Sequence, residues 1–393
     1  IIFTFFHFSK PGAVGEIICN LNNLQRSVSM NWKDELKENM TTAGELKDFL
    51  NLTDEETVQM DKILEQFPMT VTRYYLSLIN RDDPKDPIRR MCIPTISEND
   101  LSGTFDTSGE ESNTIMPGLQ HKYAQTAMIL STNRCAMYCR HCFRKRLVGV
   151  PNDEILENFD EMADYIEKHS EITNVLISGG DAFLINNSAI RRYLETFSAI
   201  DHLDLIRFGT RTPVVFPARI YDDPELLDII REFSAQKQIY VVTHFNHPNE
   251  FTEESKKAIK ALQAAGAVLR NQTVLLRGVN DNSETMGRIL KLLTSWGIVP
   301  YYIFQCRPVS GVGGHFQVPL MEGYQIVEKA KYMQNGQGKG VRYVLSNTKG
   351  KIEILGQLDK THMVFKYHQS KYPENRGKIL IEEITPDQAW IDG

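Results

Sequence analysis

Between residues 124 and 305, short apolar runs alternate with longer amphipathic ones, and that rhythm limits the fold more than any other feature of the chain. The apolar runs Thr126–Thr132, Asn174–Ser178, Leu205–Gly209, Gln238–Thr243, Ala267–Val274 and Pro300–Gln305 have strand length. Between them, segments near 153–169, 187–198, 224–235, 252–265 and 283–296 read as helices. This alternation predicts repeated βαβ crossovers and a parallel sheet of the α/β class. The runs are apolar at consecutive positions, as in strands covered by helices on both faces. Such a sheet is an open doubly wound fold or a barrel, whole or partial, and periodicity does not choose between them.

The flanks read differently. Residues 31–90 are helical in pattern, with Thr53 as an N-cap, Glu56 completing a capping box, and Val58, Ile63, Leu64 and Phe67 at helical spacing. Residues 81–119, from Asp82-Asp83-Pro84 to Met116-Pro117-Gly118, read as an irregular arm. After a flexible turn over residues 335–340, runs at Val341–Leu345, Lys351–Leu355, Met363–Tyr367 and Ile379–Ile384 predict a small β-rich tail. Residues 1–30 begin IIFTFFHFSK, without Met. They read as a disordered or non-native extension, so the chain is a fragment or translation starts at Met30.

Forty-four Lys and Arg against 50 Asp and Glu give a net charge of −6, which excludes a nucleic-acid binder driven by bulk charge. With no run of about 18 apolar residues and no secretion signal, a cytoplasmic protein away from membranes is expected. Of the six cysteines, Cys135, Cys139 and Cys142 fall within eight residues. Clustered thiols in such a chain point to a metal rather than a disulfide framework.

The cluster reads Cys135-Ala136-Met137-Tyr138-Cys139-Arg140-His141-Cys142 and directly follows the first apolar strand. In a βα sheet that is the C-terminal edge, where ligands bind. Three thiolates can hold three irons of a [4Fe–4S] cluster and leave the fourth open to a small molecule. Zinc, with His141 as a fourth ligand, is the alternative. Ser178-Gly179-Gly180-Asp181 ends the second strand. Its glycines permit close backbone approach to a ligand, and Asp181 could accept a bond from a cationic amine, although GGD alone is a common turn.

The cysteine spacing after a strand resembles the radical S-adenosylmethionine superfamily, in which the open iron binds the methionine moiety and a 5′-deoxyadenosyl radical forms. CAMYCRHCFRKR, SGGDAFL, GTRTPVV, THFNHPNE, NQTVLLRGVND and PYYIFQC occur in one order, with DDPKDPIRR upstream. Together they resemble the lysine 2,3-aminomutase family over residues 31–355. The resemblance implies a pyridoxal 5′-phosphate (PLP) and S-adenosylmethionine-dependent shift of an α-amino group to the β-carbon. It implies a partial (β/α)6 TIM-type barrel over 120–335, an N-terminal helical region and arm over 31–119, and a PLP-binding segment over 336–393.

The resemblance also assigns residues. Cys135, Cys139 and Cys142 bind the cluster, and Gly179, Gly180 and Asp181 match the S-adenosylmethionine motif. Gln272 matches a polar residue between the two cofactors. Lys122 and Tyr123 match an Arg-Tyr pair on PLP, while Thr126 stands where a second phosphate-binding Arg is expected. Arg144 matches the arginine on the substrate α-carboxylate, and His244 takes no assigned role. Lys351 aligns best with the PLP lysine, with Lys349 as runner-up. Lysine-specific members follow PYYIFQC with Asp, and here Arg307 follows. A second Asp is replaced by Ser346 or Asn347, which places Asn347 in the substrate pocket. The exchange of two acids for one base favours an acidic substrate, glutamate before aspartate. An external electron donor is implied, assembly into a homo-oligomer is a family-level expectation, and no zinc is expected. The alternatives are an enzyme of the same fold without PLP, or a non-catalytic iron–sulfur protein.

Overall fold

In the computed structural model, which describes residues 32–392, the described strands form one sheet in chain order. They are β1 (Thr114–Met116), β2 (Leu119–Tyr123), β3 (Thr126–Thr132), β4 (Asn174–Gly179), β5 (Leu205–Gly209), β6 (Gln238–Thr243), β7 (Val268–Leu275), β8 (Val299–Gln305), β9 (Arg342–Ser346), β10 (Gly350–Gln357), β11 (His362–Ser370) and β12 (Ile379–Glu383). Strands β3 to β9 run parallel. The pairs at both ends, β1–β2–β3 and β9 to β12, are antiparallel. The expected extension over 1–30 lies outside the described residues. Residues 39–393 cluster as one compact unit, and the short turns Trp32–Glu35 and Leu36–Glu38 belong to the other.

Sequential strand order removes the doubly wound alternative, because a doubly wound sheet reverses its order at a switch point. With right-handed crossovers, an unreversed order places every helix on one face. The burial pattern agrees. In β7, Leu269, Asn271, Thr273 and Leu275 are buried while Arg270, Gln272 and Val274 are only partly so. Strands β4 and β5 alternate the same way. The buried face meets helices Asn187–Ser198, Pro224–Ser234, Glu253–Ala264 and Ser283–Ser295, whose Ile190, Leu194, Phe197, Ile229, Ile230, Ile259 and Leu290 are buried. Each such side chain contributes about 1.5–3 kcal/mol. The other face carries polar residues around a cavity, so the expectation of strands apolar on both faces is corrected.

Other differences have local causes. Strand β9 is a seventh parallel strand rather than part of a separate tail, since residues 342–344 pair with β8. Helix Leu320–Tyr332 crosses between them and was not anticipated from the pattern. Residues 81–119 include helix Pro87–Cys92, N-capped by Asp86, and strand β1. The stretch 31–90 is broken into short helices, and the first crossover helix begins at Phe159. The flexible turn contains the one-turn helix Gly336–Lys339, capped by Asn335. The Thr53–Glu56 capping box forms at the start of Asp54–Gln66, but that helix buries Met60 and Ile63 and leaves Val58 55% exposed. Among the described residues no helix is long and apolar enough to cross a membrane.

Candidate active site

The chain leaves β3 at Thr132 and enters the cysteine loop at the C-terminal edge of the sheet. Cys135, Cys139 and Cys142 are free thiols. Cys135 and Cys142 pack against Leu130, Leu147 and Val148. Burial raises the Cys135 thiol and pushes Cys142 up to about 11, and each feels the charge of its neighbours. Thiols held neutral by burial become thiolates when a cation sits among them. Among the described residues no three His, Cys, Asp or Glu side chains converge as ligands of a single ion. A cubane instead takes its thiolates at separate corners, so this donor set fits three irons of a [4Fe–4S] cluster.

The loop is held from outside. Asn39 Nδ2 donates to Ala136 O at 2.9 Å, Tyr138 N to Thr70 O, and Arg140 N to Met91 O. Arg140 and Lys145 both bind the buried Glu98 carboxylate. Arg211 Nη1 donates to Cys139 Sγ at 2.7 Å, and its Nη2 pairs with Glu250 at 2.5 Å. The glycine turn is fastened to the same loop: Gly180 N donates to Thr132 O and Asp181 N to Arg134 O. Gly179 has φ +110°, and a Cβ there would lie 2.4 Å from Thr132 O. At Gly180 it would lie 2.3 Å from Arg134 O. The glycines thus let two backbones meet below Cys135. Asp181 accepts from Thr210 Oγ1 at 2.5 Å, Arg211 N at 2.8 Å and Phe183 N at 3.0 Å. It ties the β4 and β5 ends together rather than presenting a free carboxylate.

Inside the sheet lies a cavity of about 330 Å³. Lys122, Tyr123, Thr126, Arg144, Gln272, Arg307 and Lys351 all line it, from strands and loops spread over 230 residues of sequence. Strand β2 and strand β10 both contribute, and Lys122 Nζ donates to Asn347 O at 2.5 Å, so the two ends of the parallel sheet curl toward each other. Lys351 Nζ bonds Gln369 Oε1 at 3.2 Å and sits 4.3 Å from the Tyr302 ring centroid. Burial, then Arg207, Arg307 and Lys122, lower its pKa to about 7. An amine brought near neutrality in this way has a substantial free-base, nucleophilic fraction at neutral pH. Gln120 Nε2, Tyr123 Oη, Arg207 Nε and Arg270 Nε are buried without partners, and all four residues line the cavity. Unpartnered donors around an amine of lowered pKa fit a phosphorylated carbonyl cofactor.

Arg144 does not stand free. Its guanidinium binds Glu110 at 2.8 Å and reaches Ser178 Oγ and Gly179 O at 3.3 Å. Arg146 takes the other Glu110 oxygen at 3.0 Å, and the two arginines hold that carboxylate down at about 2 against its burial. Arg307 stacks 4.6 Å from Phe143 and donates to Ser108 Oγ. Asn347 turns away: its Oδ1 caps the amides of Lys349 and Gly350, and its Nδ2 donates to Asp392 O. Lys349 lies in a separate surface groove with Tyr367, Tyr372 and Glu374. His244 is half-buried, its pKa lowered to about 4 by desolvation and Arg211.

Glu110, Ser108, Arg207, Arg211 and Arg270 escaped the sequence reading. Arg207 and Arg270 had a signal. Each is a charge inside an apolar strand, tolerated only where a strand face meets a polar cavity. Glu110 and Ser108 had none, because only the path of the arm brings them to the site.

Residues 129–292 match the Radical SAM superfamily. A protein of Aquifex aeolicus (strain VF5), provisionally named as an L-lysine 2,3-aminomutase, is 41% identical over 350 residues, 88% of this chain and 93% of that one. The L-lysine 2,3-aminomutase of Clostridium subterminale is 39% identical over 76% of this chain and 71% of its own. The glutamate 2,3-aminomutase of Clostridioides difficile (strain 630) is 35% identical over 81% of this chain and 75% of its own.

Proposed function

The chain belongs to the lysine 2,3-aminomutase family of radical S-adenosylmethionine isomerases, and on that premise we propose that it is a PLP-dependent amino-acid 2,3-aminomutase acting on glutamate rather than lysine. The observation that carries the substrate is Arg307. Its guanidinium shares the cavity with Lys351 and forms no ion pair among the described residues. A cation facing a substrate ammonium at about 4 Å costs about 4 kcal/mol at an effective dielectric near 20. The same guanidinium binds a side-chain carboxylate through paired, charge-assisted bonds. The glutamate 2,3-aminomutase relative supports the reading.

Bound in this site, the iron–sulfur cluster and S-adenosylmethionine supply a hydrogen-abstracting radical, and PLP supplies the carrier for the migrating amine. Cys135, Cys139 and Cys142 hold the cluster. Gly179, Gly180 and Asp181 would shape the adjoining backbone for S-adenosylmethionine, and Gln272, which lines the cavity, would contact the cofactors. Lys351 would hold PLP through its amine, with Lys122 and Tyr123 lining the same cavity. Arg144 orients the substrate α-carboxylate once Glu110 yields part of its hold. The curled sheet, read as a partial barrel over 120–335, excludes water from the radical, and the 336–393 segment carries Lys351. An external electron donor would be needed to reduce the cluster. Asn347 contributes through its carbonyl on Lys122 rather than by touching substrate.

The test is turnover by anaerobically reconstituted protein with reductant, S-adenosylmethionine, PLP and a panel of amino acids. β-Glutamate exceeding β-lysine, with glutamate activity lost in Arg307→Asp, is expected. Faster turnover of lysine than of glutamate overturns the substrate assignment.

A further inference from the structure

Of the basic side chains lining the cavity, Arg144 is paired with Glu110, the only acid among the described residues of the lining. Lys122, Arg207, Arg270, Arg307 and Lys351 remain. They fall into two places. Arg307 follows the C-terminal end of β8, whereas Arg207 lies in mid β5 and Arg270 near the start of β7. The second pair is built into the wall. Arg207 Nη2 donates to Asn174 Oδ1 at 2.5 Å, and Asn174 Nδ2 donates to Thr126 Oγ1 at 3.1 Å. The Arg270 guanidinium lies between two rings, 4.8 Å from Tyr240 and 4.7 Å from Tyr301. Both Nε atoms are buried without a partner. Two fixed guanidiniums with unmatched donors and no carboxylate call for an anion of more than one charge.

Lys122 cannot meet that need alone. Its Nζ is already bonded to Ser108 O and Asn347 O, and burial lowers its pKa to about 7. Arg207 also leads the charged neighbours that act on Lys351, and Arg270 in turn is among the charges that act on Arg207.

We propose that Arg207 and Arg270, with the Thr126 hydroxyl behind Asn174, form the pocket for the phosphate of PLP. This rests on the PLP reading above. A dianionic phosphate satisfies both guanidiniums at once. The competing source of the same chemistry, the substrate side-chain carboxylate, falls to Arg307 at the other end.

The test uses the full chain freed of cofactor, with equilibrium binding of PLP and of pyridoxal followed by chromophore absorbance. Arg207→Met and Arg270→Met should each weaken PLP binding about tenfold to a hundredfold and leave pyridoxal binding unchanged. Arg207→Lys should recover part of the loss. Inorganic phosphate should compete with PLP in the wild type and lose that ability in Arg207→Met. Equal weakening of PLP and pyridoxal overturns the proposal, because it marks a structural effect. Unchanged PLP affinity with a raised KM for glutamate also overturns it and assigns the pair to the carboxylate. A wild-type chain that binds neither carbonyl overturns the PLP reading itself, an outcome distinct from the other two.

Discussion

Lys351 should titrate near neutrality. Burial is the main cause, and Arg207, Arg307 and Lys122 add to it, bringing the amine from 10.5 to about 7. At pH 8 about nine-tenths of it is then the free base, against about 0.3% for an ordinary lysine, a gain of about 300-fold in reactive amine. The perturbation is Arg307→Gln, which removes one of the repelling charges and should move the midpoint up, by on the order of one unit or less. The assay is pulse labelling of the cofactor-free chain with a small acylating reagent across pH 5–11, with the Lys351 peptide quantified by mass spectrometry. Labelling should rise through a midpoint near 7 in the wild type and higher in the variant. The sign is fixed by linkage: the folded amine binds its proton more weakly than the unfolded one, so Lys351 destabilises the fold below about 7 and stops doing so as the pH approaches 10.5. A wild-type midpoint near that of surface lysines, or one that falls in Arg307→Gln, would refute the reasoning.

Two other outcomes are expected. Alanine at Cys135, Cys139 or Cys142 should abolish the iron–sulfur absorbance of reconstituted protein, whereas alanine at Cys92 or Cys306, both buried free thiols outside the loop, should leave it; loss of iron in Cys306→Ala would void the ligand assignment. Glu110→Gln strands Arg144 and Arg146 and should cost about 3 kcal/mol near pH 7, from a carboxyl held at about 2 against 4.5. Since a depressed carboxyl contributes its full stabilisation above its unfolded pKa and loses it progressively down to its folded pKa, the deficit against wild type should shrink as pH falls from about 4.5 toward about 2; urea unfolding of cofactor-free protein from pH 7 to 3.5 reads the start of that loss, and a deficit constant with pH would contradict the ion-pair account.

Much of this architecture is written in local pattern. Strand–helix alternation placed β3 to β8 within about a residue of their observed ends, because apolar periodicity and capping residues act over a few positions. The cysteine spacing is equally local: three thiols on one short loop after a strand suggest a metal site wherever the rest of the chain goes. Lys351 was legible only through resemblance, since a lysine in a hairpin turn looks solvated until β10 and β11 enclose it.

What the tertiary structure alone decided concerns partners distant in sequence. No local rule sends Lys122 to the Asn347 carbonyl, turns the Asn347 side chain away toward Asp392, or occupies the Asp181 carboxylate with the backbone and hydroxyl of the β5 end. Nor does one bring Glu110 from the arm onto Arg144, or Arg211 onto Cys139. Sequence by itself determined which elements form and which chemical groups are present, because those follow from neighbours along the chain. The charge each group feels, and therefore which lysines titrate near neutrality and which arginine is open to a ligand, was set by burial and by residues up to 225 positions apart.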